Sequence, residues 1–518
     1  MKIFIEKRYI IFPVNVLTEK KKVSFSKDGK SLYTLSVNLD NIEPNFSAYV
    51  DVSRFIGEEL ELTVTPEMPL KFELSDEMRI EDLYHERLRP TVHFTTKNGW
   101  INDPNGLIYL NGVYHMFYQH NPCSSEWENM HWGHATSPDL IHWTEQPIAL
   151  YPDDSGMMFS GSAILDKENI TGLGSKENPP ALLYYTATNP FSQHLAYSTD
   201  GFKTVTKYEN NPIIERIVGS NRDPKVVFCD EIGAYIMALY FEKDVYGILK
   251  SNDLISWELI QKLSIEGDNE CPDIFPITST DGKRKWILMG AHNRYSVGNM
   301  NKNGFTPEQE TLSLYYGRSA YAGQTFSGIP DERVVRVDWD RWQTKTETFS
   351  GQMSIPLELS LEKIADTYYL AATPVRELEC IYGEIEKQSA LKINAGESIC
   401  YKLSESAYRI DLKINDYSSV PDFTITIFGR EFICKASENK VLFGKESFPL
   451  SISKKGVDIS FIIDKCSIEI FLDGGKIYAS VLNNLSVADY NLPFVSLSSK
   501  CNAIIDTLDI IPLKSIWE

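Results

Sequence analysis

Short alternating or fully apolar runs, broken by Gly, Pro, Asn and Asp, recur along the whole chain. Leu35-Ser-Val37-Asn-Leu39, Leu60-Glu-Leu62-Thr-Val64 and Ile468-Glu-Ile470-Phe-Leu472 put apolar side chains on one face with the period of two that a half-buried strand requires. The 3.6-residue periodicity of amphipathic helices is nearly absent. The pattern predicts an all-β protein, and many short strands imply sandwiches, barrels or propellers according to whether the sequence repeats.

A repeat is present. Ser137-Pro-Asp-Leu-Ile-His-Trp143 and Ser251-Asn-Asp-Leu-Ile-Ser-Trp257 share the pattern S-x-D-L-I-x-W, with a degraded copy at Ser198-Thr-Asp-Gly-Phe202 between them. The copies stand 61 and 53 residues apart, the length of one four-stranded propeller blade, each placing a turn before a strand that carries a ring between blades. Five blades need about 285 residues at that spacing. Five blades would occupy residues 89–370, between a small N-terminal β-domain over 1–88 and a further strand-rich unit over 371–518.

Composition narrows the partners. The 518 residues carry 71 acidic and 51 basic side chains, a formal charge of −20, which argues against nucleic acid and against docking on an anionic membrane. No stretch approaches the roughly 18 consecutive apolar residues of a membrane span. Glu6, Lys7 and Arg8 interrupt the segment where a signal peptide would hold its apolar core, so the chain as written is expected in the cytoplasm, or outside it if a signal has been removed. Eight cysteines without a Cys-x-x-Cys pair indicate reduced thiols. Aromatic residues make up 12% of the chain; rings suit strands, and a ring face also packs against the C–H face of a sugar.

Three acids share a distinctive punctuation. Asp103 lies in Trp100-Ile-Asn-Asp-Pro-Asn-Gly106, followed by Phe117-Tyr-Gln-His-Asn-Pro122; Asp223 lies in Asn221-Arg-Asp-Pro224; Glu270 lies in Asn269-Glu-Cys-Pro-Asp273. A following proline biases Asp103 towards an extended backbone, and Asn105-Gly106 reads as a turn. Inner propeller strands converge on the axis, so acids from three blades can meet in one pocket, and three carboxylates with one arginine are the groups a glycosidase needs.

The spelling of these stretches, with Phe159-Ser-Gly-Ser-Ala163, Tyr321-Ala-Gly-Gln-Thr-Phe326 and Ser467-Ile-Glu-Ile-Phe-Leu-Asp-Gly474, resembles glycoside hydrolase family 32, the β-fructosidases, over about residues 90–518. The resemblance implies a five-bladed propeller followed by a sandwich, with no cofactor and no metal. It implies Asp103 as nucleophile, Glu270 as general acid/base and Asp223 as transition-state stabiliser. Asn102, Gln119, Trp127, Phe159 and Ser160 are implied around a terminal fructose, and an acid at Asp273 looks like the members that close on a chain end. Trp286 and Tyr295 are further candidates for the funnel wall. Arg222 is expected to favour the charged form of Asp223, leaving Glu270, which has no cation in its motif, as the proton donor. Where many relatives have Pro-Arg-Glu-Leu, this chain has Pro356-Leu-Glu-Leu359.

The expected activity is a retaining β-D-fructofuranosidase releasing terminal fructose from fructans or sucrose. An endo-acting fructanase or a fructosyltransferase would use the same acids, and a non-catalytic fructan-binding propeller would be expected to have lost one of them. His131-Trp-Gly-His134 has metal-like spacing without a third ligand in pattern, and Lys20-Lys-Lys22 reads as a solvated strand edge. Homodimerisation through the flanking β-domains is an open expectation.

Overall fold

The computed structural model describes residues 1–345, 347–482 and 494–518. Apart from short 3-10 turns the regular structure of these described residues is strand, and no helix among them is long and apolar enough to cross a membrane.

The N-terminal strands form two small sheets. Lys2–Phe4, Glu59–Thr65, Lys21–Lys27 and Lys30–Val37 make a four-stranded sheet in that order, with Lys30–Val37 at its edge, and Phe46–Asp51, Tyr9–Val14 and Glu73–Ser75 make a three-stranded one. The alternation seen in the sequence buries Val23, Phe25, Leu35, Ile10 and Phe12 between them.

Five antiparallel sheets follow as propeller blades. Their inner strands are Gly99–Leu110, Met158–Leu165, Arg222–Cys229, Asp273–Thr278 and Ala320–Thr325. Each inner strand touches the next, and the fifth touches the first, so the ring is closed. A short strand, Phe349–Ser350, pairs in parallel with Gly99 and Trp100 and ties the end of the ring to its beginning. The last strand of blade 5 runs to Pro374, slightly past the limit of 370 set by repeat spacing. The three S-x-D copies occupy one place, the turn from third to fourth strand in blades 1, 2 and 3. In two of them the Asp carboxylate accepts the next turn's backbone N–H groups, at Ile141 and His142 and at Ile255 and Ser256. The motif tryptophans then pack inward, Trp143 against Phe94 and Trp257 edge-on to Tyr184.

Two six-stranded sheets form the C-terminal sandwich, with Ile410, Leu412, Phe461 and Ile470 facing Phe423, Ile425 and Phe432 in one core. Phe471 and Tyr478 point the other way, into the propeller's apolar cluster. At that junction His93 is fully buried between Asp464 and Glu469, at 2.8 and 3.5 Å.

Candidate active site

A β-bulge interrupts four of the five inner strands at the residues the sequence singled out. The register of the first strand shifts between Ile101 and Pro104 and again between Asn105 and Ile108. Those of the second, third and fifth shift between Phe159 and Gly161, Arg222 and Lys225, and Tyr321 and Gln324. A bulge leaves one residue unpaired and turns its side chain out of the alternating pattern, which here means towards the axis. Asn105-Gly106, read as a turn, is one of these bulges inside a continuous strand. Gly106 has φ +53°, and a Cβ there would meet the rings of Phe117 and Trp132.

Asp103 sits in the strand with the extended backbone its proline requires, but Asp223, also followed by proline, does not. Asp223, Glu270 and Cys271 all have positive φ, at 65°, 54° and 35°. Non-glycine residues rarely hold that conformation, and here the bulge and the strand start before Asp273 impose it at the residues whose side chains converge.

Around Asp103, the Ser160 hydroxyl donates to Oδ2 at 2.7 Å and the Asn102 amide to Oδ1 at 3.1 Å, while Trp100 fixes Asn102 through its indole N–H at 2.7 Å. The Cys271 thiol lies between two acids, 3.6 Å from Asp103 Oδ2 and 3.4 Å from Asp223 Oδ2, and its backbone N–H donates to Asp223 Oδ2 at 3.0 Å. Arg222 donates to Glu270 Oε1 at 2.5 Å, lies 3.7 Å from Asp223 and is held by Ser220 at 2.7 Å. The Tyr321 hydroxyl donates to Glu270 Oε2 at 2.5 Å. Asp103, Asp223 and Glu270 therefore form one cluster at one end of the axis.

The electrostatics follow from crowding. Burial pushes Asp223 up to about 7; Arg222 opposes this, while Glu270 and Asp103 add to it. Asp103 is also raised by burial, against the hydrogen bonds from Ser160 and Asn102. Burial beside the acids raises the Cys271 thiol well above its ordinary value, and Tyr321 is raised for the same reasons, so both keep their protons and act as donors. Two electrostatic expectations need correction. Arg222 acts on Asp223 in the expected direction, but burial outweighs it. Glu270 has a cationic neighbour after all, because Arg222 reaches across the blades to it.

The remaining candidates divide. Trp127 is 44% exposed, and its ring meets edge-on at 6.1 Å that of Phe159, the residue before Ser160. Gln119 is buried and its amide nitrogen donates to Met158 O at 2.9 Å, joining blades 1 and 2 beside Ser160. Asp273 is 0% exposed and binds Lys225 at 2.9 Å, Arg336 at 3.3 Å and the Thr325 N–H at 2.9 Å. It belongs to a charged plug beneath the acids and does not line the pocket. Trp286 is packed between blades with its N–H on Glu231 at 3.0 Å, and the Tyr295 hydroxyl accepts the Leu370 N–H at 2.9 Å. Both are buried core rings and no part of a funnel wall; their strands lie one and two positions out from the inner strand of blade 4.

Sequence reasoning assigned no role to Tyr321 or to the Cys271 thiol, although both stand inside the quoted motifs. Nothing in a linear pattern says which neighbour a side chain from another blade will meet. His131 is buried between the Tyr33 hydroxyl and Asn129 O, and His134 stacks on His115 and Phe117. Among the described residues the trio with metal-compatible spacing is Asp139, His142 and Cys380. It lies on the outer turn of blade 1 and the segment leaving blade 5, apart from the acids.

Residues 93–374 match the model of the glycosyl hydrolases family 32 N-terminal domain. A levanase of Bacillus subtilis (strain 168) is 32% identical over 488 residues, which cover 84% of this chain and 72% of that protein. An extracellular exo-inulinase of Aspergillus niger is 29% identical over 439 residues, 73% of this chain and 81% of that one. The crystal structure of an exo-inulinase from Aspergillus awamori has the same fold, with a TM-score of 0.74 at 24% identity, covering 84% of this chain and 100% of its own.

Proposed function

The chain belongs to glycosyl hydrolase family 32 and is a glycosidase, and from that premise we propose that it is a retaining β-fructofuranosidase that releases fructose from the ends of β-fructans or from sucrose. The observation that carries this reading is the convergence of Asp103, Asp223 and Glu270 from three blades around Cys271, Arg222 and Tyr321.

Retention requires one ionised carboxylate to attack the anomeric carbon and a second group to protonate the leaving oxygen. Asp103 suits attack: its two oxygens are fixed by Ser160 and Asn102, so one trajectory is held. Glu270 suits proton delivery by its place. Its side chain is 34% exposed against 3% for Asp223, which puts it on the open side, where a leaving group departs and a water enters. In the first step the C–O bond to the leaving sugar breaks, its oxygen takes the Glu270 proton, and an ester forms to Asp103. In the second, Glu270 takes a proton from water as the water attacks the same carbon and frees Asp103. Asp223 accepts hydrogen bonds from fructosyl hydroxyls from the far wall.

The expected result is that Asp103→Asn and Glu270→Gln each lower kcat on sucrose, inulin and levan by orders of magnitude, about a thousandfold or more. Single fructose units in the β configuration, seen by NMR at first turnover, are expected from the wild type. Near-wild-type turnover by either variant overturns that residue's role. Longer products from levan make the enzyme endo-acting, and net chain growth makes it a transferase.

A further inference from the structure

The N-terminal sheet ends in an edge strand, Lys30–Val37, whose outer backbone groups meet a propeller loop. Ser36 N–H donates to Asn129 Oδ1 and the Asn129 amide donates back to Ser36 O, both at 2.8 Å. One side chain thus caps the sheet edge as another strand would. The same Asn129 amide donates at 3.1 Å to Asn121 Oδ1, while Asn121 donates to Glu126 O at 2.8 Å and accepts from Cys123 N–H at 3.1 Å. Around this point Lys20 pairs with Glu128 at 3.2 Å, the Tyr33 hydroxyl meets His131 Nε2 at 2.5 Å, and Cys123 is buried in the N-terminal domain's own core.

These contacts surround Trp127. Its ring meets Phe159, next in sequence to the serine that holds Asp103, so where it stands relative to the acid cluster is set by the loop that carries it. None of the hydrogen bonds and ion pairs of Asp103, Asp223 and Glu270 given above comes from residues 1–88.

We infer that Asn129, by reading the Ser36 backbone, is a positioning residue through which the N-terminal domain sets Trp127 at the pocket mouth and so tunes the grip on a β-linked fructose chain. The inference rests on the fructosidase reading of the pocket. It assigns the domain to substrate binding through the loop, and separates that from the acid chemistry.

The test is steady-state kinetics of the full chain on levan and sucrose for Asn129→Ala, Ser36→Pro, Ser36→Ala and Trp127→Ala, and for the Asn129→Ala/Trp127→Ala double variant. Asn129→Ala is expected to raise KM for levan about five- to twentyfold with kcat within about twofold. Ser36→Pro, which removes the donor at an edge position where proline is tolerated, should do the same. Ser36→Ala should be silent, because both bonds use backbone atoms. In the Trp127→Ala background Asn129→Ala should add nothing, since a residue acting through another loses its effect when that partner is gone. Unchanged KM in Asn129→Ala, a fall in kcat at constant KM, or full additivity with Trp127→Ala overturns the inference while leaving the fructosidase reading intact. A wild type that turns over neither substrate overturns that reading, and the inference with it.

Discussion

Among the described residues Arg222 is the one cation paired with the acid cluster, and replacing it with methionine gives the sharpest test of the electrostatic account. The guanidinium stands 3.7 Å from Asp223 Oδ2 and 2.5 Å from Glu270 Oε1. Unit charges 3.7 Å apart interact by about 4 to 5 kcal/mol at an effective dielectric of about 20, equivalent to about three pKa units. Because the same charge is shared with Glu270, and because water enters where the guanidinium stood, the net rise expected at Asp223 is about one to two units. The direction is fixed. Burial pushes Asp223 up to about 7 with Arg222 opposing; without the cation its charged form is less favoured and its pKa rises further. The ascending limb of the pH profile of kcat/KM on sucrose should therefore move to higher pH by one to two units or so, with a loss of about 10- to 100-fold at pH 6 that narrows towards pH 9. Arg222→Lys keeps the charge and should return most of the limb while losing the double contact to Ser220 and Glu270. A limb that stays in place in Arg222→Met, or lysine behaving as methionine does, refutes the reasoning.

Two further outcomes concern stability. Asp273→Asn leaves Lys225 and Arg336 buried without their full counter-charge, so unfolding free energy should fall by about 3–5 kcal/mol with KM on the folded enzyme nearly unchanged. A raised KM at unchanged Tm would return Asp273 to the sugar pocket. Burial pushes His93 down, but the hydrogen bond to Asp464 and the nearby Glu469 carboxylate outweigh it and hold His93 up at about 10. Its contribution is fully present below the unfolded value of 6.5 and is lost as pH rises through about 10. Thermal melts of His93→Gln should therefore start lower at neutral pH and lack the wild type's decline between pH 7 and 10; parallel declines would remove His93 from the account.

The fold was legible because each level of the sequence agreed with the next: period-two runs gave strands, the S-x-D turn gave the blade length, and Pro-marked acids gave the inner ends of three blades. Trp286 and Tyr295 were misplaced because sequence distance from Glu270 says nothing about which strand of a blade a residue occupies. Asp273 is the instructive case, since the rule that would have placed it was available. Along an inner strand, side chains two apart face the same way but lie about 6–7 Å deeper. Lys225 and Asp273 stand two residues past Asp223 and Cys271, where the bulge and the strand start give way to regular pairing, and the structure joins Lys225, Asp273 and Thr325 in one network. An acid two residues past a pocket residue is thus expected under the pocket, and it needs a cation beside it. The layers then differ in balance. Asp273 and Asp338 meet Lys225 and Arg336, whereas above them Asp223 and Glu270 share Arg222 beside a third carboxylate, Asp103. That imbalance adds to burial in lifting Asp223 towards neutral pH, so the charged form that accepts fructosyl hydroxyls is lost as pH falls through about 7, and activity on the acid side is set by the balance of charge in this layer.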